Sequence, residues 1–140
     1  MILDLTPLQN ACSSLQEAIA NASDKDFMNS LTESQRRLII AGVIQNFEFT
    51  YELSWKFIKR WLRENVGRSY VDGTTRWELY RMAAENKLID DVDAWMLFHA
   101  ARNQTTHTYD EQTAQEVFAA ARDFLPGAKQ LLCMLQARND

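Results

Sequence analysis

The residues best suited to chemistry stand in one polar run, from Arg102 to Asp110. A guanidinium at Arg102, an imidazole at His107 and a phenol at Tyr109 fall within eight residues. Arginine binds phosphate through a planar fork of donors, and histidine titrates near neutral pH and so can move protons. This set suits phosphate chemistry without a metal, including RNA cleavage by its own 2′-hydroxyl group. A capped helix end with polar surface groups would look the same, so the residues alone leave both interpretations open.

The spacing of the pair restricts how it can act. Arg102 and His107 are five residues apart, which in an unbroken α-helix places them about 140° apart around the axis. Either the helix ends between Gln104 and Thr106 and turns His107 back, or the motifs of two copies meet across a two-fold axis. Asn103, next to the arginine, could orient the phosphate or the imidazole.

Three further residues could assist this site. His99 lies one helical turn before Arg102 and could assist it, but we expect it to be a histidine on the helix surface. Glu48 and Glu52 stand one turn apart among aromatic residues, and we expect them to pair with Lys56 rather than to face the site.

The elements that must position these groups are helical. The chain has 46% apolar residues, only 4 Gly and 2 Pro, and no repeat, which predicts one all-α domain over residues 1–140. We expect an up-and-down bundle of about five helices with one long central helix. The first two helices are predicted over residues 5–22 and 32–66. The third is predicted to begin at Thr75, the fourth between Asp90 and Asp93, and the fifth at Asp110 or Thr113.

The boundaries follow from local signals. Thr32 precedes Gln35 by three residues, a capping-box spacing, and Gly67 is the predicted stop of the long helix. Residues 24–31 are predicted to be a connector. We expect Pro126 and Gly127 to kink or break the last helix.

The long helix carries two apolar stripes, which predicts a homodimer. One runs through Phe47 and Tyr51, and a second includes the six residues Ile39, Val43, Phe49, Leu53, Phe57 and Trp61. A small bundle covers one face, so the other suggests a second copy related by two-fold symmetry.

Composition excludes several classes of protein. The net charge is −4 and the pI is near 5.2, which argues against a general coat on DNA or membranes. The start of the chain has no signal-peptide pattern, so we expect a soluble, cytoplasmic protein with no membrane partner. Cys12 and Cys133 have no zinc-type spacing and are predicted to be buried thiols.

Basic residues concentrate in the middle of the chain. Residues 56–87 hold eight Lys or Arg and four acids, a local charge of +4, whereas the rest carries −8. RNA could lie along this stripe, with Trp61, Tyr70 or Trp77 stacking on bases, although a solvated helix face is the alternative. The candidate RNA-binding residues are Lys56, Lys59, Arg60 and Arg63. The acids from Asp90 to Asp93 are expected to cap a helix, so we predict no metal and no cofactor.

Two blocks of sequence resemble a known family. The pattern Arg102, His107 and Tyr109 (R-x4-H-x-Y) resembles the signature of HEPN-domain ribonucleases, toxins paired with a minimal nucleotidyltransferase. Residues 42–56 resemble the long-helix segment of the nucleotidyltransferase substrate-binding proteins, and residues 102–111 resemble their second block. The resemblance extends over residues 40–118, most of the chain.

The resemblance implies a homodimer with both motifs lining a cleft at its axis, and RNA cleavage without metal that leaves a 2′,3′-cyclic phosphate. Arg102 would then stabilise the pentacoordinate phosphorus, and His107 would act as acid or base. Tyr109 would accept AMP from the partner nucleotidyltransferase, the antitoxin, which silences the nuclease. A non-catalytic subunit that binds a nucleotide or substrate for that partner is the alternative, and a purely structural helical dimer is a third.

Overall fold

The computed structural model describes residues 2–139, in which the regular structure is entirely helical. A 3₁₀ helix, Gln104–His107, joins the last two α-helices. The α-helices are α1 (Thr6–Ser23), α2 (Lys25–Asn29), α3 (Glu33–Asn65), α4 (Arg68–Val71), α5 (Arg76–Glu85), α6 (Val92–Asn103) and α7 (Glu111–Ala137). Five of these are the predicted bundle helices, and α2 and α4 are short additions. Within this range no helix is long and apolar enough to cross a bilayer.

Local signals fix both ends of the central helix α3. The Gln35 amide donates to Thr32 Oγ1 at 3.1 Å, and the Thr32 amide donates to Gln35 Oε1 at 2.9 Å, so the predicted capping box is confirmed. Gly67 follows the helix with φ of 129°, a backbone conformation that favours glycine. With 33 residues, α3 rises about 50 Å and packs against α1, α4, α5, α6 and α7.

An aromatic cluster holds α6 against α3 and α7. Phe124 of α7 lies at its centre, with ring centroids 5.3 Å from Phe47, 5.5 Å from Trp95 and 5.2 Å from Phe98. All four side chains are buried. Edge-on aromatic contacts of this kind add to the free energy gained by burying the rings. The cluster therefore fixes the position of the helix that carries Arg102.

One boundary prediction was wrong, and a second was wrong in its expectation of a helix break. The predicted connector contains α2, because Asp24 Oδ1 caps it by accepting the Phe27 amide at 3.1 Å. Pro126 lies inside α7 without ending it, since the helix buries Phe124 before the proline and Leu131 after it against the same core. Packing on both sides outweighs the local cost of the proline.

The burial of the second apolar stripe also differs from the prediction. Val43, Phe57 and Trp61 are buried within the chain itself, because helices surround α3 on more than one side. Phe49 stays 55% exposed. A second copy is therefore not required to cover most of this stripe.

The two cysteines lie in different environments. Cys12 is buried, and burial raises the pKa of its thiol to about 11. Cys133 is exposed on α7, so the prediction of two buried thiols was wrong for this residue. It lies on the outer face of an amphipathic helix whose inner face includes Leu131 and Leu135.

Candidate active site

The polar run lies where α6 ends. Arg102 occupies the last turn of α6, the 3₁₀ helix carries the chain through His107, and Asp110 caps α7 by accepting the Thr113 amide at 3.3 Å. A 3₁₀ helix has about three residues per turn, so the angular relation of a continuous α-helix is lost after Asn103. The α-helix thus ends just before residues 104–106, as one of the two alternatives requires, and a 3₁₀ helix rather than a sharp turn leads to His107.

The Arg102 guanidinium is held by two carboxylates of α3. Its Nε donates to Glu52 Oε1 at 3.0 Å, and its Nη2 lies 3.5 Å from Glu48 Oε1. Its Nη1 donates to Thr105 Oγ1 at 3.1 Å, so the 3₁₀ helix helps to fix it. The expected pairing of Glu48 and Glu52 with Lys56 was wrong, because α6 packs against α3 and presents a cation to both acids.

His107 and Tyr109 are presented to solvent. The His107 side chain is exposed and makes no hydrogen bond with the part of the chain that is described. Tyr109 is 89% exposed, and its ring centroid lies 6.4 Å from that of His107. Asn103 is exposed as well. Within one chain, Arg102 is therefore fixed, whereas His107 and Tyr109 are free to meet a ligand or a partner.

His99 belongs to a polar network between helices rather than to an open surface. Its Nδ1 lies 3.0 Å from the hydroxyl of Tyr51 and 3.4 Å from Nη1 of Arg76. Tyr51 also hydrogen-bonds Tyr80, and both tyrosines are fully buried. The clustering of Arg76, Tyr51 and Tyr80 was not predicted from the sequence. The signal for this cluster in the sequence was Tyr51, an aromatic residue with a polar hydroxyl group, within an apolar stripe of α3.

The hydrogen bonds determine the form of the His99 ring. Arg76 donates to the Tyr51 oxygen at 2.9 Å, and burial raises the pKa of both tyrosines, so each keeps its proton. Every hydrogen bond of this network can form when Tyr80 donates to Tyr51 and Tyr51 donates to His99 Nδ1. The His99 proton then sits on Nε2. Burial first, and then the charge of Arg76, lower the pKa of His99.

The predicted basic stripe is present only in part. Lys56 and Arg60 are exposed and Lys59 is half-buried, but Arg63 pairs with Asp72 at 3.0 Å. Trp61 is buried and cannot stack on a base, so that candidate was wrong. Tyr70 and Trp77, 70% and 46% exposed, remain accessible.

The acids before α6 serve structural roles. Asp91 accepts the Ala94 amide at 3.1 Å and caps the helix, and Asp90 accepts from Gln130 at 2.7 Å. Across residues 2–139, no three His, Cys, Asp or Glu side chains are grouped so as to hold a metal ion.

Comparison with known proteins identifies the family. The model of the family described as "Nucleotidyltransferase substrate binding protein like" matches residues 3–137. The probable ribonuclease HepT of Haemophilus influenzae is 36% identical over 138 residues, covering 98% of this chain and 94% of that protein.

Two solved structures are similar to this chain. One from Haemophilus influenzae, described as revealing the fold of a substrate binding domain of a nucleotidyltransferase, has a TM-score of 0.92 and 34% identity over 95% of this chain and 99% of that one. A crystal structure of a protein from Thermus thermophilus has a TM-score of 0.71 and 26% identity, over 92% and 98% of the two chains. The chain thus belongs to the nucleotidyltransferase substrate binding protein-like family, as its two sequence blocks predict.

Proposed function

We propose that this protein is a metal-independent endoribonuclease of the HEPN type and the toxin of a toxin–antitoxin pair. The observation that carries the proposal is the end of α6, where a fixed guanidinium at Arg102 is followed within five residues by an exposed imidazole at His107. The similarity to a protein named as a probable ribonuclease supports it.

The chemistry requires two proton transfers. The 2′-hydroxyl loses its proton to a base as its oxygen attacks phosphorus, and the 5′-oxygen leaves with a proton from an acid, which yields a 2′,3′-cyclic phosphate and a 5′-hydroxyl end. Each chain offers one His107, so a homodimer with both motifs in one cleft would supply the base from one copy and the acid from the other.

Arg102 would stabilise the negative charge that develops on phosphorus. A guanidinium has five N–H donors. The contacts with Glu52, Glu48 and Thr105 engage Nε, Nη2 and Nη1 once each, so two donors remain for phosphate oxygens. Asn103, exposed beside it, would orient the phosphate or the imidazole.

Tyr109 is the proposed site of regulation. Its exposed hydroxyl can reach the active site of a partner nucleotidyltransferase without unfolding of the chain. An AMP group attached there would add bulk and negative charge close to His107, which would exclude RNA. The partner is then the antitoxin.

A non-catalytic subunit that binds a nucleotide or substrate for the partner is the second candidate. The family description favours it, and so does the pairing of Arg102 with two carboxylates, which offsets the positive charge that phosphate chemistry uses.

Incubation of the purified protein with total RNA in excess EDTA tests the proposal. We expect cleavage with cyclic-phosphate ends, and a loss of about 10² or more in both His107→Ala and Arg102→Ala at unchanged helicity. Arg81→Ala is the matched control, because Arg81 is also an arginine of a helix surface, paired with Glu85 at 3.6 Å. Cleavage that requires added magnesium, or wild-type rates in both site variants, would favour the binding subunit.

A further inference from the structure

Arg76 is a half-buried cation with an unusual set of partners. In the described chain no carboxylate lies within 4 Å of it, whereas Arg102 has two. Its guanidinium lies 3.9 Å from the centroid of the Trp55 ring, and its Nη1 donates to Tyr51. Partial burial of a charge with only neutral partners has a desolvation cost that an anionic ligand would offset.

The edge of the guanidinium that can bind phosphate has no partner among residues 2–139 and is not fully buried. Nε and Nη2 of Arg76 have no hydrogen-bond partner among residues 2–139, and neither is among the buried unpaired atoms there, so solvent can reach them. These two N–H groups form the edge that binds phosphate through two parallel hydrogen bonds. The Trp55 ring, Tyr51 and His99 fix the orientation of this edge.

Arg76 and Arg102 are linked through Trp55 and Glu52. Trp55, beneath Arg76, donates from Nε1 to Glu52 Oε2 at 3.1 Å, and the other oxygen of Glu52 accepts from Arg102. His99 lies close enough to both arginines for each to act on its charge. A chain of direct contacts therefore joins the two guanidinium groups.

We propose that Arg76 binds a backbone phosphate of RNA next to the phosphate held by Arg102. The proposal rests on the ribonuclease function given above. The surroundings favour a polyanion, because Lys56 Nζ lies 5.8 Å from the same Trp55 ring and is exposed, and the nearby carboxylate of Glu52 is already engaged by Arg102. Arg76 is outside the R-x4-H-x-Y pattern and its role is substrate binding.

The test measures binding to a 2′-O-methyl RNA oligonucleotide, which lacks the 2′-hydroxyl nucleophile and stays intact. Fluorescence anisotropy over a series of salt concentrations compares the wild type with Arg76→Gln. We expect binding at least about tenfold weaker and a log Kd against log salt slope shallower by about 0.7, the value for one phosphate contact on a single strand. Arg81→Gln is the matched control, since Arg81 lies on the same helix over Trp77 at 5.4 Å but pairs with Glu85.

Each outcome of this binding test either supports or contradicts the role proposed for Arg76. Wild-type affinity and slope in Arg76→Gln, with normal RNA cleavage, would overturn this proposal and leave the ribonuclease function in place. Weaker binding with an unchanged slope would also overturn it, because the effect would then be structural. Weaker binding to the nucleotidyltransferase with unchanged RNA binding would assign Arg76 to a protein carboxylate instead.

A wild-type protein that neither binds nor cleaves RNA would overturn the proposed function and this inference with it. If circular dichroism shows that Arg76→Gln does not fold, Arg76→Lys decides. Lysine keeps the charge but not the planar fork, so we expect the slope to be retained and the affinity to fall by about threefold or more. Unchanged affinity in a folded Arg76→Lys would contradict the proposal.

Discussion

Glu52 both orients Arg102 and offsets its charge. Its Oε1 accepts from Arg102 Nε at 3.0 Å and its Oε2 accepts from Trp55, so the carboxylate is fixed at both ends. In the proposed cleavage reaction, a carboxylate at this place would favour the transition state by holding the guanidinium in one geometry, and it would also repel the substrate phosphate. The two effects act in opposite directions on turnover and on binding.

The variant Glu52→Gln separates the effect of this carboxylate on turnover from its effect on RNA binding. We expect kcat for RNA cleavage to fall about tenfold, because the guanidinium loses its charged anchor, while RNA binds more tightly because a negative charge is removed. Rapid-quench cleavage and anisotropy measure the two quantities. Glu64→Gln, an exposed glutamate on the same helix, should change neither. Weaker binding together with the lower kcat in Glu52→Gln would show that the carboxylate has a purely structural role.

Tyr109 carries the prediction about regulation. Its hydroxyl has no part in the two proton transfers proposed for His107, so Tyr109→Phe should cleave RNA within about tenfold of the wild type. The same variant, expressed with the cognate nucleotidyltransferase, should gain no AMP mass and should stay toxic. Tyr70→Phe, which changes another exposed tyrosine, should still be modified and silenced. AMP found chiefly on another residue would contradict the assignment.

Among the elements, α3, α5 and α6 are joined by the network of Tyr51, Tyr80, Arg76 and His99. The groups that face His99 are Arg76 and Arg102, which disfavour its charged form, and Glu52, which favours it. Burial and the two cations outweigh the effect of Glu52, so the pKa of His99 lies below its ordinary value of 6.5. The network is therefore built for a neutral imidazole.

A dependence of stability on pH follows from that shift. The unfolded chain protonates His99 as the pH falls through 6.5, and the folded chain resists it, so stability is present above this pH and is lost as the pH decreases. Urea unfolding at pH values of about 7.5 and about 5.5 should show a loss in the wild type that is smaller in His99→Asn. We expect the difference to be below about 1 kcal/mol, because solvent screens a partly exposed group. An equal loss in both proteins would contradict this role of the network.

At the scale of the molecule, the proposed homodimer now depends on fewer exposed residues. Half of the second stripe of α3 is buried within the chain, but Leu38, Phe49 and Leu97 stay 72%, 55% and 70% exposed. Exposed apolar side chains of this size are typical of contact surfaces when they are contiguous. The stronger argument is chemical, since one chain offers one His107 for two proton transfers.

A mixed dimer tests whether the two copies share a site. We expect sedimentation at micromolar concentration to give twice the 16.2 kDa chain mass. A dimer of one wild-type and one Arg102→Ala chain should cleave RNA at less than half the wild-type rate, because a shared cleft is damaged as a whole. The matching mixed dimer with Arg81→Ala should keep full activity. Half activity would indicate two independent sites, and a stable monomer would refute the dimer.

What the sequence determined by itself is local. The capping box at Thr32, the caps at Thr75, Asp91 and Asp110, and the stop at Gly67 depend on hydrogen bonds and backbone angles within a few residues, so their spacing in the chain predicts them. The family also follows from two sequence blocks, and the end of α6 follows from the polar run after it.

The partners of each side chain across the bundle were decided only by tertiary structure. Glu52 meets Arg102 from 50 residues away, and His99 meets Tyr51 from 48 residues away, where packing of α6 on α3 sets the register. Local spacing favoured Lys56 for Glu52 and solvent for His99, and both were wrong because a contact between helices replaces the one available on the same helix. Arg76 shows the same limit, since its partners become visible only once α5 is packed against α3 and α6. The ends of the helices depend on residues that are close in sequence, whereas the side-chain contacts of this site depend on which helices pack against each other.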